Sequence, residues 1–485
     1  MLIKSNFFDV FFILFEKYCF MCYNLWRWKG CVNVKKKKSL SPFIIILLSF
    51  FIVIVVGTIL LLLPFSSKGK NLTFIEALFT TTSAVCVTGL SVIPDLGATL
   101  SVFGKIVLAM LIEIGGLGFI TIALFVFIIL GKNIGIKNRF LLKEALNQDS
   151  QQGLSKMVKS IVLTAFSIQI VGAIFNFLIL KFSIKFEDLG YTNSQIVGIS
   201  LFHAVSAFNN AGFDLFGSSS LTANIFASNV LFNLNTALLI ILGGIGFIVI
   251  FDILSFKSFK KLSLHSKIVL FTTLILLVVG TLLLWVLTDM NLLQAFFQSV
   301  SARTAGFATF EMGKLRGGAG FIIFIVLMFC GASPCSTGGG IKTTTLFVLV
   351  ASMIGYARGK QATAFKRRIA SSSVIKAFTL VVMAITFIFT VSTVIIIIES
   401  NFGILKDRVN HGMDEIIFEV FSAFCTVGNS TGITPNLHFS SKILLCIAMF
   451  AGRLGPLTIM NLWNRNWLID NSNEVRYVEK TIIIG

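Results

Sequence analysis

Charge is what this sequence has least of. Of its 485 residues, 13% are Asp, Glu, Lys or Arg, about half the share of a soluble domain. With 56% hydrophobic residues and a mean hydropathy of +0.92, the chain cannot cover itself with a water-facing shell, and soluble classes are excluded. Histidines number 4 and acidic residues 21, scattered rather than clustered. A membrane-embedded enzyme would need such groups gathered at one site, so catalysis is disfavoured as well. Cys19, Cys22 and Cys31 lack a nearby fourth ligand of the kind a structural metal site requires. The apolar stretch Phe7 to Phe15 is too short to span and carries no small-residue cleavage site. That argues against a cleaved signal peptide and for an interfacial segment.

What the chain does have is long apolar runs, clearest at Pro42 to Pro64, Phe103 to Leu130 and Val374 to Ile398. Each exceeds the ~18 residues that read as a membrane span. The net charge of +19 raises nucleic acid as a partner, but the bases sit in alternate gaps between apolar runs. Lys35 to Lys38 precede the first run; later gaps hold Lys132, Lys137 and Arg139, then Lys257, Lys260 and Lys261, then Arg358, Lys366 and Arg367. The intervening gaps hold fewer bases and more acids, such as Glu187 and Asp188, or Asp414 and Glu415. This alternation is a positive-inside bias. It places both termini in the cytoplasm and accounts for the charge without nucleic acid.

Four rounds of one pattern follow: a long apolar run, a short half-apolar segment ending in a Gly-containing loop, and a second long run. They predict an all-α membrane protein of four covalently linked helix–pore-loop–helix repeats, with eight membrane helices and four re-entrant pore helices around a pseudo-fourfold pore. The repeats fall at 41–131, 160–255, 267–355 and 373–463, with a cytoplasmic N-terminal segment 1–40 and tail 464–485. The second runs read as helices near Val102–Leu130, Asn224–Phe251, Gly318–Ile354 and Ser440–Leu462. Each short segment is about a dozen residues, or ~18 Å as helix, too short for a ~30 Å hydrocarbon core. Irregular backbone at that depth is tolerated only inside protein or along a water-filled cavity.

The short segments align as LFTTTSAV (78–85), LFHAVSAF (201–208), FFQSVSAR (296–303) and IFEVFSAF (417–424). Each has Phe four residues before Ser-Ala: Phe79 with Ser83, Phe202 with Ser206, Phe297 with Ser301, Phe418 with Ser422. A glycine follows at Gly89, Gly212, Gly306 and Gly428, one residue sooner in round three. Four such loops around an axis can aim carbonyl oxygens inward in place of a cation's hydration shell. Glycine permits the positive φ this needs, and the C-terminal ends of the short helices favour a cation. The candidate lining is Val87, Thr88 and Gly89; Asn210, Ala211 and Gly212; Thr304, Ala305 and Gly306; Thr426, Val427 and Gly428. No acid is among them, so selection would rest on carbonyls. Thr426-Val427-Gly428 repeats the first three letters of the potassium-channel TVGYG loop.

The second helices share Gly115-Gly116-Leu117-Gly118-Phe119 and Gly243-Gly244-Ile245-Gly246-Phe247, with Gly452-Arg453-Leu454-Gly455-Pro456 as a fainter echo. These read mainly as close-packing sites. Round three departs from its siblings, because its second helix is interrupted by 331–342. That Gly-rich stretch fails as a phosphate loop, since Ile341 separates glycine from Lys342 and no strand precedes it. It reads as a flexible break able to gate conduction. Arg453 within a membrane helix must face a cavity or a partner. Facing the pore it would oppose cation leakage; the alternative is packing against an acid such as Glu113. Arg303 reads as a brace behind the third loop, and His203 and Glu419 as structural.

These residues resemble the Ktr/Trk/HKT superfamily of potassium transporters, and within it the bacterial Ktr membrane subunits, over about 40–465. The most specific pieces are SAVCVTGL (83–90), SARTAGF (301–307), GASPCSTGGGIKTTT (331–345) and GRLGPLT (452–458). The resemblance implies filter glycines at Gly89, Gly212, Gly306 and Gly428. It also implies a gating loop comprising Gly331, Ser333, Pro334, Ser336, Thr337, Gly338, Gly339, Gly340 and Lys342, and a pore arginine at Arg453. Serine at the first filter position goes with sodium preference in plant relatives, so Gly89 favours potassium. A homodimer, a cytosolic nucleotide-binding ring subunit, sodium stimulation and a bacterial cytoplasmic membrane location are further implications. The chain itself needs no cofactor; K+ is cargo. Glu113 departs from the uncharged amide expected before GGLGF. A sodium- or ammonium-conducting member of the superfamily is the alternative, and a secondary transporter with inverted repeats fits less well, since the short segments recur in one orientation.

Overall fold

The computed structural model describes residues 42–129, 154–216, 224–256, 258–406 and 412–455. The N-terminal cysteines, the segment 1–40, the basic gap 130–153, residues 456–463 and the tail 464–485 lie outside it.

The elements are helices. Round one contains α1 (Pro42–Leu62), α2 (Phe74–Val85), α3 (Val102–Leu117) and α4 (Phe119–Ile129). Round two contains α5 (Leu154–Leu178), α6 (Asn193–Phe208), α7 (Val230–Ile245) and α8 (Phe247–Ser255). Round three contains α9 (Leu264–Leu287), α10 (Leu292–Ser301), α11 (Ala319–Phe329) and α12 (Thr343–Ala357). Round four contains α13 (Ser371–Phe402), α14 (Met413–Phe424) and α15 (Phe439–Leu454). A two-residue hairpin, Thr363–Ala364 against Arg367–Arg368, follows α12. Among the described residues, four helices are long and apolar enough to cross a membrane: Phe43–Leu62, Ser155–Ser183, Leu264–Leu287 and Ser371–Phe402. Counting two bent pairs as spans makes six. The chain is a multi-pass membrane protein.

The second helices correct the sequence reading. They are not continuous in rounds one and two: α3–α4 bends by 96° and α7–α8 by 95°. The hinges are Gly118 (φ 82°) and Gly246 (φ 95°), and Gly455 after α15 adopts φ 81°. A side chain resists this conformation, so the third glycine of GGLGF and GGIGF acts as a helix break rather than a packing site. Round three is therefore not alone in having an interrupted second helix. What sets it apart is the length of its interruption, 330–342.

Capping fixes where the short helices begin. Thr73 with Glu76, Thr192 with Gln195, and Asn291 with Gln294 form capping boxes, and Glu415 Oε2 accepts from Gly412 N at 3.2 Å. These reciprocal bonds satisfy N–H groups that lipid could not. The repeated phenylalanines Phe79, Phe202, Phe297 and Phe418 are buried in the core. Each short helix packs on the long helix before it (α1–α2, α5–α6, α9–α10, α13–α14). Each round's second helix also meets the next round's short helix: α3 on α6, α7 on α10, α11 on α14, and α15 back on α2. The rounds thus close into a circle.

Candidate ion pathway

The four glycines predicted from sequence meet at the centre of that circle. A Cβ on Gly89 would lie 2.5 Å from Ala211 O and 3.0 Å from Gly212 Cα; one on Gly212, 2.8 Å from Ala305 O and 3.0 Å from Gly306 Cα. One on Gly306 would lie 2.5 Å from Val427 O, and one on Gly428 2.0 Å from Thr88 O. Each loop therefore abuts the next, in the order one, two, three, four, one. The ring has no room for a side chain.

Backbone conformation repeats with the ring. Val87, Asn210, Thr304 and Thr426 have φ of 55°, 58°, 86° and 51°, and the glycines two residues on have φ of 100°, 70°, 77° and 96°. Left-handed geometry in three bulky or β-branched residues is costly, and such strain clusters where backbone groups have a task. The conformation is held from behind. Ser83, Ser206, Ser301 and Ser422 accept on their carbonyls from the N–H of Thr88, Ala211, Ala305 and Val427 at 2.8–2.9 Å. Gly89 N and Gly428 N donate to Ser83 Oγ and Ser422 Oγ, both at 3.0 Å. In round three, one residue shorter, Ser301 Oγ donates instead to Phe307 O. In rounds one, three and four the repeated serine thus anchors its loop through the hydroxyl as well, whereas the Ser206 hydroxyl of round two has no partner. Asn210 Oδ1 accepts from Thr304 Oγ1 at 3.2 Å, while its amide nitrogen donates to Ala207 O and Ile240 O, both at 3.1 Å.

The interruption 330–342 lies against the inner residues of these loops. A Cβ on Gly338 would fall 2.2 Å from Thr304 Oγ1, and one on Gly339 2.1 Å from Thr426 Oγ1, so only glycine allows the approach. Lys342 Nζ donates to Gly338 O at 2.8 Å and Gly339 O at 3.4 Å. Ser336 Oγ donates to Ser333 O at 2.6 Å, and Ser333 Oγ lies 3.1 Å from Thr343 Oγ1. Pro334 O approaches Gly246, and Gly331 N donates to Ile341 O, closing the base of the loop. Gly340 packs by Cys425 O.

The bends at Gly118 and Gly246 leave helix-terminal carbonyls without intrahelical donors, and the loop and Arg453 supply them. Ser333 N donates to Gly244 O at 3.0 Å and Thr337 N to Gly243 O at 3.2 Å. Thr337 Oγ1 donates to Phe208 O at 3.1 Å. Arg453 donates to Gly115 O, to Gly116 O at 3.1 Å and to Thr337 O. Its guanidinium therefore joins three rounds through carbonyls. Glu113, offered from sequence as its packing partner, instead accepts from Asn209 Nδ2 (2.6 Å) and Gln169 Nε2 (2.9 Å). Arg303 is buried beside the third loop, bordering a small cavity with Asn210, Thr273 and Ala332.

Comparison with known proteins decides the family. The family model described as "TrkH: Cation transport protein" matches residues 12–464. The chain belongs to the TrkH family. Among curated relatives, the Ktr system potassium uptake protein B of Bacillus subtilis is 38% identical, covering 88% of this chain and 93% of the relative. The potassium/sodium uptake protein NtpJ of Enterococcus hirae is also 38% identical, covering 93% and 98%. Among solved structures, the potassium transporter TrkH from Vibrio parahaemolyticus shares the fold, with a TM-score of 0.66 at 18% identity over 92% of this chain and 89% of that one. TrkH-family membership makes the chain a cation transporter and not an enzyme.

Proposed function

We propose that this chain is the membrane subunit of a potassium uptake system, passing K+ down the membrane potential through the ring of four loops. The observation that carries the reading is the closed glycine ring with left-handed residues two positions before each glycine. Alternating backbone handedness turns successive carbonyls to one side, the arrangement that replaces a cation's hydration shell. The lining is Val87–Gly89, Asn210–Gly212, Thr304–Gly306 and Thr426–Gly428, supplied by four repeats and eight membrane helices. The driving force is ~2.3 kcal/mol per charge per 100 mV.

Residues 331–342 with Arg453 form the gate in this proposal. In this reading their bonds to the ends of α3 and α7 hold the pathway closed, and movement of the broken helices would withdraw the loop from Thr304 and Thr426. The remaining parts of the proposal are a homodimer, a cytosolic nucleotide-binding ring subunit, stimulation by sodium, and a bacterial cytoplasmic membrane with both termini inside. The likeness to a protein named for a Ktr system supports a multi-component assembly. Sodium conduction is the second reading, favoured by the likeness to a potassium/sodium uptake protein.

The test is uptake of K+ or Rb+ in cells lacking their own potassium systems, with Na+ and NH4+ as competitors. Growth at low K+ with weak competition supports the potassium reading, and equal competition by Na+ supports the second. Absence of any cation uptake by a well-expressed protein refutes both. Flux in liposomes with and without the cytosolic partner tests the assembly.

A further inference from the structure

The position after each repeated phenylalanine holds a buried polar residue: Thr80, His203, Gln298 and Glu419. In an apolar re-entrant helix a carboxylate is the costliest of these to bury. Glu419 is 1% exposed and fully partnered. Its Oε1 accepts from Ser430 Oγ at 2.6 Å, Thr431 N at 2.9 Å and Thr431 Oγ1 at 3.2 Å. Its Oε2 accepts from Thr434 Oγ1 at 2.9 Å. All four bonds go to the segment directly after the fourth loop.

Ser422 lies three residues on, hence on the same face of α14, and accepts from Gly428 N. One helix face therefore holds the chain at the ring glycine and again at 430–434, with only Asn429 between. Round three has a weaker counterpart, with Ser301 Oγ on Phe307 O and Gln298 on Thr309, and rounds one and two have none. Gln298 reaches Thr309 Oγ1 once, at 3.4 Å; His203 turns to Thr236 on α7 at 3.0 Å; the Thr80 hydroxyl has no partner. Round four is also where the ring leaves least room for a side chain, since a Cβ built on Gly428 would fall nearer its neighbour's carbonyl than one on any other ring glycine.

We infer that Glu419 is a positioning residue for ion selection. By anchoring 430–434 it sets the register of Gly428 at the seam between the fourth and first loops, and so the ring's affinity for K+ over Na+. This inference rests on the proposed ion pathway.

The experiment is transport kinetics of E419Q and T434V, full-length, in cells lacking potassium uptake, with membrane abundance measured in parallel. Glutamine is near-isosteric and keeps part of the bond set, but it replaces one acceptor oxygen with an NH2 donor that faces the donors Glu419 now accepts from. The expected result for E419Q is a KM for K+ raised about tenfold, a change of about 1.4 kcal/mol, with a lowered K+/Na+ preference and Vmax per molecule within about twofold. T434V, which removes the one partner of Oε2, shifts the same quantities in the same direction by less, and carries the test if E419Q fails to accumulate. A fall in Vmax that tracks abundance, with KM and ion preference unchanged, marks Glu419 as scaffold only and overturns the inference; so does wild-type behaviour of the variants. Loss of cation uptake in the wild type would instead refute the proposed function, which keeps the two failures apart.

Discussion

Replacing Gly428 by alanine adds one methyl group where the ring has no space. The new Cβ would lie 2.0 Å from Thr88 O, 2.9 Å from Thr88 C and 3.0 Å from Gly89 Cα. An ordinary contact requires more than 3 Å, so the Thr88 carbonyl must retreat by about 1 Å. The left-handed φ of 96° adds roughly 1–2 kcal/mol for a residue with a Cβ. Binding constellations tolerate about 0.5 Å, and in the proposed pathway a displaced carbonyl is one ligand misplaced. Gly428→Ala should therefore raise the KM for K+ at least tenfold, roughly 1.4 kcal/mol, and lower discrimination against Na+. Gly190→Ala is the control: Gly190 has φ 84° but nothing within 4 Å of the added methyl group, so it carries backbone strain without the clash. Both are assayed by Rb+ uptake against external concentration in uptake-deficient cells, normalised to membrane abundance. A Gly428→Ala protein with wild-type KM and ion preference, or a Gly190→Ala protein with the same defect, would refute the steric argument.

Arg453→Gln removes the donor shared by Gly115, Gly116 and Thr337, and should raise K+ flux without the cytosolic partner about tenfold, on the order of 1.4 kcal/mol of closed-state preference; equal flux in liposomes would exclude Arg453 from the gate. Deleting part of 333–340 removes the bonds to Gly243 and Gly244 and should raise flux as well, unless the loop has no part in closure. Gly118→Ala meets only Thr121 Oγ1 at 3.8 Å, whereas Gly246→Ala meets Pro334 O at 2.6 Å. The first should lower stability by about 1–2 kcal/mol of backbone strain and the second by more, read from thermal unfolding in detergent. The reverse order would show that the bends are not set at these glycines.

The loops were legible in the sequence because backbone demands leave residue-type marks. Positive φ calls for glycine in all four rounds, and in three of them a hydroxyl at fixed spacing anchors the loop, so Phe-x-x-x-Ser-Ala and its glycine stand out as a repeat. The bends at Gly118 and Gly246 left no such mark in hydropathy, which stays apolar through both hinges. Their signal was the repeated glycine triplet, which fits packing equally well until the backbone is seen. The capping boxes at Thr73, Thr192 and Asn291 were legible but overshadowed by the apolar runs they precede. Charge was the least legible. Arg453 could be matched by sign with Glu113, whereas its partners are carbonyls exposed by a helix break elsewhere in the chain. Glu419, read as merely structural, has partners in a loop whose path the sequence does not display.

The seam between the last round and the first has a consequence for biogenesis. Arg453 and Gly115 stand 338 positions apart, and Gly428 closes against Thr88. Insertion proceeds from the N-terminus, so the first three rounds enter lipid with the carbonyls of Gly115 and Gly116 uncapped and one quarter of the circle missing. Hydrocarbon supplies no substitute donors. A fragment ending before round four thus keeps ill-satisfied carbonyls and an unclosed ring. Joining the four rounds in one polypeptide makes completion of synthesis a precondition for closing the ring.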